Sequence, residues 1–176
     1  MPVSDLLFRQ GHRLIQIGVA LFLFSALQGF VVHSVAVPRL GLSVHTLSGL
    51  EGVILIALGL VWPRLSLGVP AARIAFWCFV YSTFATLVPY VLAALWGAGN
   101  SIIPLAAGSA RGTPVQETIL AAILITAAPP VLISLALVLW GLRMPPRPCK
   151  RSASSESETA GAHQAAAPES DMAEFR

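Results

Sequence analysis

Residues 14–35 read LIQIGVALFLFSALQGFVVHSV. No charged side chain interrupts these positions, and the apolar residues run continuously rather than alternating. A helix rises 1.5 Å per residue, so about 20 such residues cross about 30 Å of hydrocarbon. The stretch reads as a membrane span. Arg9 and Arg13 precede it, as they would a signal peptide. It is too long for an h-region and has no clean small-x-small cleavage site, so the helix is expected to stay.

Three further stretches share this character: Val44 to Trp62, Ile74 to Trp96 and Val115 to Leu142. Continuous apolar runs fit helices rather than the alternating strands of a barrel. The expected fold is all-α, an integral membrane four-helix bundle over residues 1–143. Composition agrees. The chain is 56% hydrophobic and 11% charged, where a soluble domain carries about 25% charged residues. That excess of apolar surface must face lipid.

Between Leu14 and Leu142 the only charged residues are Arg39, Arg64, Arg73, Arg111, Glu51 and Glu117. The basic residues never cluster on a polar face, which excludes a nucleic-acid patch. Cys78 lies in an apolar segment and Cys149 in a polar one, so neither a disulfide nor a zinc site is expected. Arg9, Arg13, Arg64, Arg73, Arg143, Arg147, Lys150 and Arg151 fall on one side of the membrane, against Arg39 and Arg111 on the other. Basic residues favour the cytoplasm, so both termini are expected there. From Met144 to Arg176 the chain is rich in Pro, Ser, Ala and Glu, and reads as a disordered cytoplasmic tail.

The third and fourth stretches are joined by Gly97–Gly112, an apolar loop expected to pack back onto the mouth of the bundle. Thr113, Pro114 and Gln116 spell a capping box opening the fourth helix. Pro89 and Pro129-Pro130 are expected to disturb their helices.

Ionisable groups at membrane depth are costly and usually functional. His45 lies near the start of the second helix, and Glu51 is about 9 Å deeper. Tyr90 is about 25 Å along the third helix from Arg73. His33 and Glu117 fall at the same end. Glu51, Tyr90 and Glu117 are therefore the catalytic candidates, with His45 a fourth functional candidate. Several polar residues have plainer readings. Glu117 in a first turn is favoured by the helix dipole, His33 is an interfacial anchor, and Ser82/Thr86 and Ser48/Gly52 are small pairs that let helices approach.

Several short runs resemble hydroxylaminobenzene mutase, a family of small bacterial membrane enzymes. They are Pro38-Arg39-Leu40-Gly41-Leu42-Ser43 before His45, Leu60-Val61-Trp62-Pro63, Trp96-Gly97-Ala98-Gly99 and Pro104-Leu105-Ala106-Ala107-Gly108. The chain is more distantly similar to styrene oxide isomerase, which has a His, five residues, an Asn and a Gly in its second helix. Here His45, Glu51 and Gly52 keep that spacing. Pro63, Arg73 and Tyr90 match that family's helix-ending Pro, basic residue and active-site Tyr. Two positions depart: its Asn falls on Glu51 and its catalytic Asp on Ser82. The resemblance implies ferric haem b bound through His45, non-covalently since no c-type attachment motif is present. It also implies a trimer in a bacterial cytoplasmic membrane, acting on a small aromatic substrate.

The expected activity is that of an isomerase moving the hydroxyl of an N-aryl hydroxylamine to the ring, giving an aminophenol. The competing readings are an epoxide-to-aldehyde isomerase and a non-enzymatic assembly or transport subunit. No inverted repeat supports transport.

Overall fold

A computed structural model describes residues 3–35 and 37–143. The expected tail from Met144 lies outside the described residues. Five helices follow in order: α1 Val3–Val31, α2 Pro38–Val61, α3 Val69–Trp96, the single-turn α4 Pro104–Ala107, and α5 Pro114–Arg143. Short 3-10 turns, Val32–Ser34 and Trp62–Arg64, follow α1 and α2. The described residues contain no strand. Four helices are long and apolar enough to cross a membrane, as the sequence predicts. The end holding the α1–α2 turn and the α3–α5 connection is called distal, the other proximal.

Three helices start five or more residues before their apolar runs, α3 at Val69 rather than Ile74 among them. α1 begins at Val3 rather than Leu14 because residues 3–13 form an amphipathic turn set that buries Leu7, Gln10 and Gly11. α2 begins at Pro38, which suits a first helical position, rather than at Val44. His45 therefore sits about 10 Å inside its helix and not at its mouth. Pro89 is buried within α3, and α5 continues through Pro129-Pro130.

The helices pair as α1 with α2 and α3 with α5, and α2 against α3 joins the pairs. The α1–α2 seam is built from glycine. A Cβ on Gly11 would lie 2.7 Å from the Gly59 carbonyl oxygen, and one on Gly59 equally close to that of Gly11. Gly18 and Gly52 repeat the arrangement at 2.7 and 2.8 Å. Absent side chains let two backbones approach closely, the usual solution where lipid supplies no hydrophobic drive between helices. At the proximal end Trp62 is fully buried, donates to Gln10 Oε1 at 3.1 Å and meets Phe76 edge-on.

The α3–α5 seam uses hydroxyls instead. Ser82 Oγ donates to the Ala127 carbonyl at 2.6 Å, Ser134 Oγ to that of Ala75 at 2.8 Å, and Tyr81 to Thr126 Oγ1 at 2.9 Å. The Ser66 amide donates to the Gly141 carbonyl, which ties the proximal end of α5 to the α2–α3 turn.

Candidate active site

The glycine seam is spaced by sevens: Gly11 and Gly18 on α1, Gly59 and Gly52 on α2. The next positions of the series are Ser25 and His45. Here the backbones no longer touch directly, and a side chain fills the seam. His45 Nδ1 lies 2.7 Å from the Ser25 carbonyl oxygen and 3.3 Å from Ser25 Oγ, and Ser25 Oγ donates to the His45 carbonyl at 2.7 Å. A carbonyl only accepts, so Nδ1 carries the imidazole proton. Nε2 is left as a lone-pair donor with no hydrogen-bond partner among the described residues. Fixing one ring nitrogen to present the other is how proteins orient a metal-ligating histidine. Gly29 completes the site; a Cβ there would lie 3.5 Å from His45 Cε1.

Two grooves meet at this imidazole. One, of about 400 Å³, runs towards the distal end past Gly29, Val32, His33, Pro38 and Arg39. The other, of about 480 Å³, runs towards the middle of the helices past Phe22, Ala26, Gly49 and Leu50. Each has the volume of a small-ligand site. Both open outward among exposed Phe22, Leu42 and Leu50.

Glu51 is placed differently. It lies six positions beyond His45 on the helix, so the two side chains diverge by about 120° around α2. Its neighbours on that face are Ser48 and Leu55, both fully buried. Glu51 Oε2 is buried and has no hydrogen-bond partner among the described residues. An unsatisfied carboxyl oxygen is expensive in such surroundings and calls for a ligand or a proton. Tyr90 is half-buried against the core, directly after fully buried Pro89 on α3. Neither residue lines the His45 grooves.

Glu117 is at the distal mouth, where its carboxylate binds the connecting loop. Oε1 accepts from the Gly99 amide at 2.8 Å and from the Gly112 amide at 3.1 Å. Oε2 accepts from the Ser101 hydroxyl and from its amide at 3.3 Å. The loop folds onto the bundle as expected, burying Ala98, Ile103 and Ala107. Gly99 can meet the carboxylate because its φ of 111° lies where side-chain-bearing residues rarely go. The capping box is present in both directions: Thr113 N–H donates to Gln116 Oε1 at 2.8 Å and Gln116 N–H to Thr113 Oγ1 at 3.3 Å.

The four candidates thus occupy four places. His45 lies in the α1–α2 seam, Glu51 on another face of α2, Tyr90 on α3 and Glu117 in the cap. The glycine series that positions His45 was missed in the sequence. Its seven-residue spacing on both strands of the seam is the signal that would have revealed it.

Residues 10–143 match the family model for styrene oxide isomerase. The chain belongs to this family. Hydroxylaminobenzene mutase HabB of Ectopseudomonas oleovorans is 47% identical over 135 residues, covering 77% of this chain and 82% of the relative. Hydroxylaminobenzene mutase HabA of the same organism is 35% identical over 125 residues, covering 71% of this chain and 93% of the relative. No solved structure matches the chain.

Membership in the styrene oxide isomerase family raises the question of haem, and the residues of the α1–α2 seam fit one. A tautomer-fixed imidazole beside two open grooves with mostly apolar walls could hold a haem iron. At the position of the styrene oxide isomerase Asp, Ser82 is buried and committed to the Ala127 carbonyl. That position serves helix packing here.

Proposed function

We propose that the protein is a membrane-bound mutase that rearranges an N-aryl hydroxylamine such as hydroxylaminobenzene to an aminophenol, with haem b held by His45. The observation that carries this reading is the imidazole itself: anchored through Nδ1, open at Nε2, set between two grooves. Its similarity to two hydroxylaminobenzene mutases supports the substrate class. When bound, ferric haem supplies a Lewis acid for the hydroxyl oxygen.

The protein's own residues do the rest. Cleaving N–O leaves positive charge on the aryl nitrogen and ring, and the Glu51 carboxyl can stabilise it. The same carboxyl can take the ring proton displaced when oxygen joins carbon and return it to the nitrogen, which gains a proton as the hydroxylamine becomes an amine. The Tyr90 hydroxyl can hydrogen-bond the migrating oxygen. Glu117 acts at one remove, holding the loop that covers the distal end. Exclusion of water by the apolar walls keeps the cation from solvent capture. Within a single chain His45, Glu51 and Tyr90 do not share a groove. The family resemblance implies a homo-oligomer, a trimer, in this reading. The termini are cytoplasmic in this reading, with the protein in the bacterial inner membrane.

The test is purified protein, expressed with ample haem, given hydroxylaminobenzene. A Soret band lost in His45→Ala and aminophenol as the product are expected. Glu51→Gln should slow turnover by on the order of a hundredfold, as loss of a proton-transfer group does. An unchanged rate removes Glu51 from the chemistry, and absence of a Soret band removes the haem. Epoxide isomerisation is the second reading, favoured by the family model. Styrene oxide in the same assay separates the two.

A further inference from the structure

The two grooves that share His45 differ in chemistry. The inner one has no charged residue; Phe22, Ala26, Gly49, Leu50 and Val53 line it, with Ser25 and Thr46 the only other polar groups beside the imidazole. The distal one carries Arg39 and His33 beside Val32, Pro38 and Leu42. Arg39 has no carboxylate partner among the described residues. It also opens α2, whose N-cap, Val37, provides no side-chain hydrogen bond and whose first turn has no acidic residue. The backbone amides of that turn therefore add their partial positive charge to the same spot. Along the α1–α2 seam the surface thus runs from apolar, through one ligating nitrogen, to cationic.

We propose that Arg39 and His33 hold the carboxylates of the haem, so that its acidic edge lies at the distal end and its apolar edge in the inner groove. This deepens the haem reading given above and rests on it. The chemistry is what selects the occupant: a flat apolar body that meets an imidazole, with anionic groups on one edge only. Arginine is suited to the anionic edge because its planar fork meets a carboxylate with two parallel hydrogen bonds. His33, read from sequence alone as an interfacial anchor, becomes a second donor. An anionic lipid headgroup would meet the same two side chains, and the experiment must tell the two apart.

The experiment uses the full-length protein in detergent, stripped of haem and titrated with haem b or with haem b dimethyl ester, following the Soret band. Neutralising the carboxylates removes charge-assisted hydrogen bonds, so the ester should bind wild type weaker by on the order of tenfold or more. Arg39→Gln with His33→Ala should bind both forms equally and release haem b to apomyoglobin faster by a similar factor. The Soret position should stay unchanged, because His45 still ligates. Equal affinity of wild type for haem and its ester overturns the proposal while leaving His45 ligation standing. The same result, with anionic lipid retained by wild type and lost from the double variant, assigns the pair to a headgroup and also overturns it. If no titration gives a Soret band, the haem reading fails and this assignment with it. The wild-type comparison needs no variant to fold.

Discussion

The two long hairpins of this protein solve the same problem in different ways. In α1–α2 the helices touch through glycines, backbone against backbone. In α3–α5 they are tied by serine hydroxyls reaching across to carbonyls. A glycine contact is all-or-none, since any side chain meets a carbonyl that cannot move aside. A hydroxyl tie is one small increment among many, because transmembrane helices offer other partners even when it is lost. The rigid seam is the one that carries the imidazole. Where the glycine series stops, at Ser25 and His45, space for a ligand begins.

The sharpest way to break this contrast is Gly52→Ala. The new methyl would lie 2.8 Å from the Gly18 carbonyl oxygen and 3.0 Å from the Phe22 amide. A loss of about 2 kcal/mol is expected, in the range for overpacked cores, measured by resistance to denaturing detergent. Gly49→Ala is the control on the same helix. Its methyl meets Ser25 alone, Oγ at 3.0 Å and Cβ at 3.7 Å, a side chain rather than a backbone carbonyl. A change within about 0.5 kcal/mol is expected, since the better helix propensity of alanine offsets the contact. Equal costs at the two sites would refute the seam as described.

The next largest effect is expected from Glu117→Ala. It strips acceptors from the amides of Gly99, Ser101 and Gly112. Hydrogen exchange at those amides should accelerate while the α1–α2 seam stays protected. Exchange unchanged at residues 99–112 would show that the cap holds without its carboxylate. The smallest effect belongs to Ser134→Ala, which deletes one tie to Ala75; about 0.6 kcal/mol is expected for an interhelical hydrogen bond in a membrane. A loss as large as that of Gly52→Ala would erase the distinction between the hairpins.

Much of the fold was legible from sequence because lipid demands long apolar runs, and these mark the four helices directly. The capping box was legible because its partners are three residues apart. The helix starts were not, since residues 3–13, 38–43 and 69–73 lie outside the apolar runs, and hydropathy reports hydrocarbon rather than helix. The role of Glu117 was hidden for another reason. Its partners lie as far away as Gly99 and Ser101, and they converge only once glycine turns reverse the chain. The shared level expected for His45, Glu51, Tyr90 and Glu117 also needed more than rise per residue. Depth along a helix says nothing of the direction in which a side chain points.

The anchors of α5 have a consequence for how the chain is made. Both bind to segments that leave the ribosome earlier: Glu117 to the loop at 99–112, and the Gly141 carbonyl to Ser66. The α1–α2 hairpin needs nothing made later to close its glycine contacts. During synthesis, then, the hairpin that carries His45 can be complete in the bilayer while α5 is still being translated. The last helix arrives as a clasp on a molecule whose imidazole is already in place.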